Sequence, residues 1–124
     1  MPIVSGATAP HFTLPGVTFI GLAAPSRGSR ENAVWKLMME PGVTPVPHRL
    51  TREEIFVATA GSAVVIIDGE RHVLTAGDSI VVPAGQEFAL ENPGDRRFEA
   101  VVVLPVGGQA VIGDDAPFTP PWAA

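Results

Sequence analysis

The chain has 124 residues, with 13 acidic and 8 basic side chains for a net charge of -5, 13 glycines, 13 prolines and no cysteine. A single domain of this size buries about two thirds of its unfolded surface and needs no staple, and the missing cysteine excludes disulfides, thiolate ligands and cysteine nucleophiles while fitting a reducing cytoplasm. The acidic balance leaves no basic stripe for nucleic acid, and MPIVSGATAP and the short apolar runs give neither a signal peptide nor the ~20-residue span of a membrane helix, so a soluble protein without nucleic-acid or membrane partners is expected.

In chain order, HFTLPGVTFIGLA (11–23) and AVWKLMM (33–39) are apolar, strand-compatible segments separated by the turn-rich PSRGSREN, where Arg27 and Arg30 read as a solvated loop. EPGVTPVP then forces an extended turn, because its prolines offer no donors to a helix. Thr51-x-x-Glu54 has the spacing of a helix capping box, but Ile55, Phe56, Val57 and Thr59 are poor helix formers, so a strand from Glu54 to Thr59 is predicted. AVVII, Asp68-Gly69 and ERHVL form a hairpin with a two-residue type I′ turn, which sets Ile67 against Glu70, Val65 against His72 and Ala63 against Leu74. The short strands SIVV, EFALE and FEAVVVL follow, divided by the turns PAGQ and NPGD. About eight to ten strands with no helix longer than a turn mean an all-β sandwich or barrel. The Pro-rich tail DDAPFTPPWAA carries Phe118 and Trp122 as anchors, set either on its own barrel or on a partner subunit.

Two segments carry the most information. The first runs Gly42, five residues, His48, Arg49, Leu50, three residues, Glu54, six residues, Gly61; the second places Gly77, Pro83, Gly85, Phe88 and Asn92 at fixed intervals. Together they resemble the paired motifs of the cupin superfamily, G-x5-H-x-H-x3,4-E-x6-G and G-x5-P-x-G-x2-H-x3-N, at eight of ten positions. The resemblance implies a cupin-type double-stranded β-helix, a jelly-roll barrel, filling one domain over residues 1–124. N-terminal strands occupy 1–41, the first motif 42–61, the second 77–92 and the extended tail 113–124. In the family, three histidines and the glutamate meet inside the barrel around a divalent transition metal. Here only His48 and Glu54 are kept, and Leu50 and Phe88 stand where the other two histidines belong.

Residues two apart on a strand share a side, so His48 and Leu50 are expected inward, as are Gln86, Phe88 and Leu90. One imidazole and one carboxylate fall short of the three or four protein ligands such metals use. His72 on the hairpin, His11 near the start and Glu53 on the opposite side of its strand do not complete the set. Gln86 is the better-placed oxygen donor. The expectation is therefore a pocket with His48 and Glu54 as catalytic acid/base pair, Glu54 orienting His48 and favouring its charged form, and Leu50, Phe56, Gln86, Phe88 and Leu90 as ligand-binding walls for a small organic molecule. That chemistry suits isomerisation, epimerisation, dehydration or cyclisation without a cofactor. The alternatives are a metal-dependent, dioxygenase-like enzyme with His48 and Glu54 among the ligands of one divalent metal, and a non-catalytic binding or regulatory module. Ile55 and Val57 are expected to face away from the pocket, and FEAVVVL has too many apolar residues for a strand with one wet face; with the resemblance they point to a homodimer.

Overall fold

Proline and glycine cut the chain into short extended pieces. The computed structural model describes residues 2–124, with Met1 outside them. The strands are β1 (His11–Leu14), β2 (Val17–Ala23), β3 (Asn32–Met39), β4 (Arg49–Leu50), β5 (Glu54–Ala60), β6 (Ser62–Ile67), β7 (Glu70–Thr75), β8 (Ser79–Val82), β9 (Phe88–Glu91), β10 (Phe98–Pro105) and β11 (Ala110–Val111). Two single-turn 3-10 segments, Pro25–Arg27 and Pro121–Ala123, are the helical elements among the described residues. The apolar segment at 11–23 is two strands, because Pro15 has no N–H for a ladder and Gly16 takes a positive φ of 76° in the turn between them. The two-residue strands β4 and β11 pair with each other and bring the number of strands above the expected count.

The sheets run β1-β2-β3-β10-β5-β8 and β7-β6-β9, all pairs antiparallel, and they enclose one apolar core as a jelly-roll barrel. Alternation decides which side chains fill it. On β10, Phe98, Ala100, Val102 and Leu104 are buried, as are Trp35, Leu37 and Met39 on β3 and Glu54, Phe56 and Ala58 on β5. Ile55 and Val57 take the other face of β5, and Val57 is 39% exposed.

The hairpin has the register read from its turn, with Ile67 opposite Glu70 and Val65 opposite His72; Asp68 and Gly69 both have positive φ (51° and 76°), as a type I′ turn demands. Gly61, which joins β5 to β6, is required on two grounds: its φ is 72°, and a Cβ there would run into the Arg97 carbonyl. Arg27 does not lie in a solvated loop. It is half-buried against Gly21, and Nη2 donates to the Trp122 carbonyl at 2.9 Å.

Candidate functional site

The framework residues of the two motifs tie the motifs together. His48 and Phe88 form a backbone bridge, with His48 N–H donating to Phe88 O at 3.0 Å and Phe88 N–H to His48 O at 2.9 Å. Gly85 N–H donates to Leu50 O at 2.8 Å, and Gly42 N–H to Asn92 O at 2.9 Å. Asn92 is 1% exposed; its side-chain amide donates to the carbonyls of Met39 at 3.0 Å and Arg96 at 2.7 Å. These contacts bring His48, Leu50, Glu54 and Phe88 to one end of the barrel.

A cavity of about 320 Å³ opens there, lined by His48, Leu50, Glu54, Phe56 and Leu90 from the segments around the motifs. The rest of the lining comes from Val17 and Phe19 on β2 and Trp35, Leu37 and Met39 on β3, strands of the same sheet as β5, and from Phe118, Pro120 and Trp122 in the tail. Trp122 lies flat on Phe19, with ring centroids 3.6 Å apart at an interplanar angle of 2°, so in this chain the tail covers its own barrel. Apart from the indole N–H groups of Trp35 and Trp122, the polar side chains among the described lining residues are His48, Glu54 and Thr44, and none is lysine or arginine.

Two of the expected wall residues do not line the cavity. Gln86 precedes β9, so strand alternation does not govern it, and its amide turns to the hairpin tip, donating to Glu87 O at 2.9 Å and Asp68 Oδ1 at 3.4 Å. Phe88 is core, 1% exposed, and stands behind the wall with its ring 4.5 Å from His48 and 5.8 Å from Phe56 between centroids. The lining residues that the sequence pattern does not assign to the pocket lie mainly on β2 and β3, with others on β1, in the loop before β4 and around β11. Alternation on β3 marks Trp35, Leu37 and Met39 as inward, but only the sheet order, which sets β3 one strand away from β5 across β10, brings them to the cavity of Glu54.

Glu54 is 4% exposed and its Oε1 has no hydrogen-bond partner. Burial in hydrocarbon pushes its carboxyl up to about 8, so it is mainly the neutral acid at pH 7. His48 moves the other way: desolvation lowers it below its ordinary value, with the Val46 carbonyl and the Glu87 charge opposing. Its Nδ1 lies 2.9 Å from Val46 O, and since a carbonyl only accepts, Nδ1 carries the proton and neutral His48 keeps Nε2 as a free acceptor. The expected pairing, with Glu54 orienting His48 and favouring its charged form, is thus corrected. The Val46 carbonyl orients the imidazole, and neither group contributes to the other's shift.

A divalent metal does not fit these residues. Among the described residues no three His, Cys, Asp or Glu side chains come together, Leu50 occupies one ligand position with hydrocarbon, Phe88 fills another within the core, and Gln86 points elsewhere. His11 and His72 are exposed, with His72 Nε2 3.6 Å from Glu70, and neither lines this cavity.

Comparison with known proteins agrees with this architecture. Over 64 residues the chain is 36% identical to mannose-1-phosphate guanylyltransferase of Salmonella montevideo, a stretch that makes up 52% of this chain and only 13% of that protein. The fold superimposes on the polyketide cyclase RemF from Streptomyces resistomycificus with a TM-score of 0.75 at 19% identity, covering 85% of this chain and 79% of that one. It superimposes on a cupin-superfamily sugar phosphate isomerase from Silicibacter pomeroyi with a TM-score of 0.72 at 20% identity, covering 92% and 83%. At that identity the likenesses bear on fold alone. No helix among the described residues is long and apolar enough to cross a membrane. The model of the cupin domain matches residues 35–104, which takes in both motifs, the His48–Phe88 bridge that joins them, β5, and the inward residues of β3 from Trp35 and of β10 to Leu104, and the chain belongs to the cupin family.

Proposed function

We propose that the cavity binds a small, uncharged organic carbonyl compound and moves protons on it without a metal. Glu54 serves as the acid and His48 as the base. One observation carries this reading: a buried carboxyl with an unpartnered oxygen stands on the wall of an apolar cavity that also presents an imidazole with a free Nε2. Burying a polar group without a partner is unfavourable, and a ligand oxygen accepting from the protonated carboxyl relieves it. His48 Nε2 takes the proton from a carbon beside the carbonyl while Glu54 gives its own to the carbonyl oxygen. A C–H bond breaks, an O–H bond forms, and an enol is left beside imidazolium and carboxylate. Return of a proton to a different carbon gives isomerisation, and attack by the enol carbon on a second carbonyl gives cyclisation. The fold shared with a polyketide cyclase is consistent with such ligands. A sugar phosphate suits the site poorly, since no lining lysine or arginine answers its charge.

The test uses 2-tetralone, whose C1 protons exchange through its enol. Proton NMR in D2O is expected to show exchange faster with the protein than in buffer and unchanged by EDTA. Glu54→Gln and His48→Ala are each expected to remove about 10²–10⁴-fold of the acceleration. Because the reactive form needs neutral His48 and protonated Glu54, the rate rises with pH as His48 loses its proton and falls as pH passes about 8. Exchange that both variants leave intact refutes the mechanism, and saturable binding without exchange makes the chain a binding module.

We also propose that the chain works as a homodimer through the outer face of the large sheet. Val34, Val103, Ile55 and Val81 form a row across β3, β10, β5 and β8; the next outward row carries Lys36 and the one after it Glu99, a pair of opposite charges that a twofold copy can also answer.

A further inference from the structure

The chain after β11 crosses the cavity as a strap fastened at both ends. At one end Ala110 and Phe118 exchange backbone hydrogen bonds at 2.8 and 3.0 Å. At the other, Arg27 Nη2 donates to Trp122 O at 2.9 Å, and Arg27 Nη1 donates to Ser26 Oγ at 3.0 Å. Between these ends Pro120 is buried, and it faces the cavity with Trp122 and with Phe118, which is 41% exposed.

Trp122 occupies space that a ligand ring would otherwise take. One face of the indole lies on Phe19, while Trp35 and Phe12 meet it edge-on, each at 6.4 Å between centroids and at 61° and 60°. Such stacks hold a ring in one plane and add attraction beyond buried area. The cavity that remains, about 320 Å³, is at the lower end of the ~300–1,000 Å³ range of small-molecule sites. Phe19 and Trp35 therefore form an aromatic wall whose extent is set by the indole between them.

We propose that Trp122 is the specificity-determining residue of this cavity. It restricts the site to flat, uncharged ligands of about two fused rings and excludes larger ring systems from the Phe19–Trp35 wall. This rests on the reading of the cavity as the ligand site and goes beyond it in assigning ligand size and shape to the strap. Glu54 and His48 supply the polar contact, while Trp122 selects by the space it denies.

The experiment compares 2-naphthol with 1-hydroxypyrene, titrated into wild-type protein and into Trp122→Ala and Trp122→Leu. The chain has two tryptophans, so either substitution leaves Trp35, itself a lining residue, as the fluorescent reporter. Wild-type protein is expected to bind 2-naphthol at least tenfold more tightly than 1-hydroxypyrene. Trp122→Ala is expected to reverse that order, and Trp122→Leu, which keeps apolar bulk in the core, to bring the ratio at least tenfold toward the larger probe. Circular dichroism melts establish that each variant is folded. Glu54→Gln weakens both probes by the same factor, which separates polar contact from size. If wild-type protein binds 2-naphthol and the folded Trp122 variants keep the wild-type ratio, the assignment to Trp122 is wrong and the cavity reading stands. If wild-type protein binds neither probe, the cavity reading fails and the specificity assignment fails with it.

Discussion

The two faces of the six-stranded sheet are both apolar, yet an ionisable group is treated differently on each. On the outer face Lys36 and Glu99 stand 2.9 Å apart with solvent access, among Val34, Val101 and Val103. On the inner face Glu54 stands among Leu50, Phe56 and Leu90 with an oxygen that no protein atom satisfies. Hydrocarbon therefore does not by itself distinguish a ligand site from an association surface. An outward apolar row asks for another surface, whereas a buried carboxyl without a partner asks for a hydrogen-bonding molecule.

The largest contrast between the faces is in folding stability. Phe56 is buried against Phe88, so Phe56→Ala is expected to cost about 3–5 kcal/mol by urea denaturation. Thr59, exposed on the same strand, is expected to tolerate alanine within ~0.5 kcal/mol. Equal losses at the two positions would mean that the inner face is not the core.

Glu54 gives the next effect, and its sign follows from where the proton binds. A carboxyl raised to about 8 holds a proton in the folded chain that the unfolded chain releases near its ordinary value of 4.5. Stability is thus fully present below about pH 4.5 and falls as pH rises through 8, by up to ~1.4 kcal/mol per pH unit. His48 acts oppositely. Its lowered value means that the unfolded chain takes a proton first below 6.5, so its contribution is lost as pH falls from there. Thermal melts from pH 6.5 to 9 are expected to decline in wild-type protein and to flatten in Glu54→Met, which is the more stable protein at pH 9. A flat wild-type profile over that range would mean the carboxyl is not held neutral by burial.

Much of this contrast was legible in the chain. Glycines and prolines at fixed intervals mark the turns, Asp68-Gly69 sets the hairpin register pair by pair, and the period of two on β5 sends Glu54 and Phe56 inward and Ile55 and Val57 outward. Other features depend on what the fold brings from a distance. Strand alternation places Gln86 inward with Phe88 only if β9 extends that far, and Gln86 lies in the preceding turn. Arg27 has the look of loop charge, and its role as a clasp needs the Trp122 carbonyl, 95 residues later. Whether Trp122 covered its own barrel or a partner depended on Phe19, and no local pattern records that stack. That His48 and Glu54 do not pair also needs the fold: the imidazole turns to the carbonyl of Val46, only two residues before it, and leaves the carboxyl to surrounding hydrocarbon.

The smallest effect on folding, and the sharpest test of the outer face, comes from charge placed in its apolar row. Val81 is 53% exposed at the edge strand β8, paired with Ile55, so Val81→Lys removes little buried surface within one chain. Its expected change in monomer stability is within ~0.5 kcal/mol. In a twofold pair, however, the new ammonium faces the row Val34, Val103 and Ile55 of the second copy, where desolvating it opposes association. Light scattering coupled to size exclusion is expected to give twice the 12.9 kDa chain mass for wild-type protein and a concentration-dependent return to one chain for Val81→Lys. A wild-type protein that runs as one chain at every concentration leaves the outer row as ordinary surface and removes the homodimer. The cavity on the inner face is unaffected, because no residue of that row lines it.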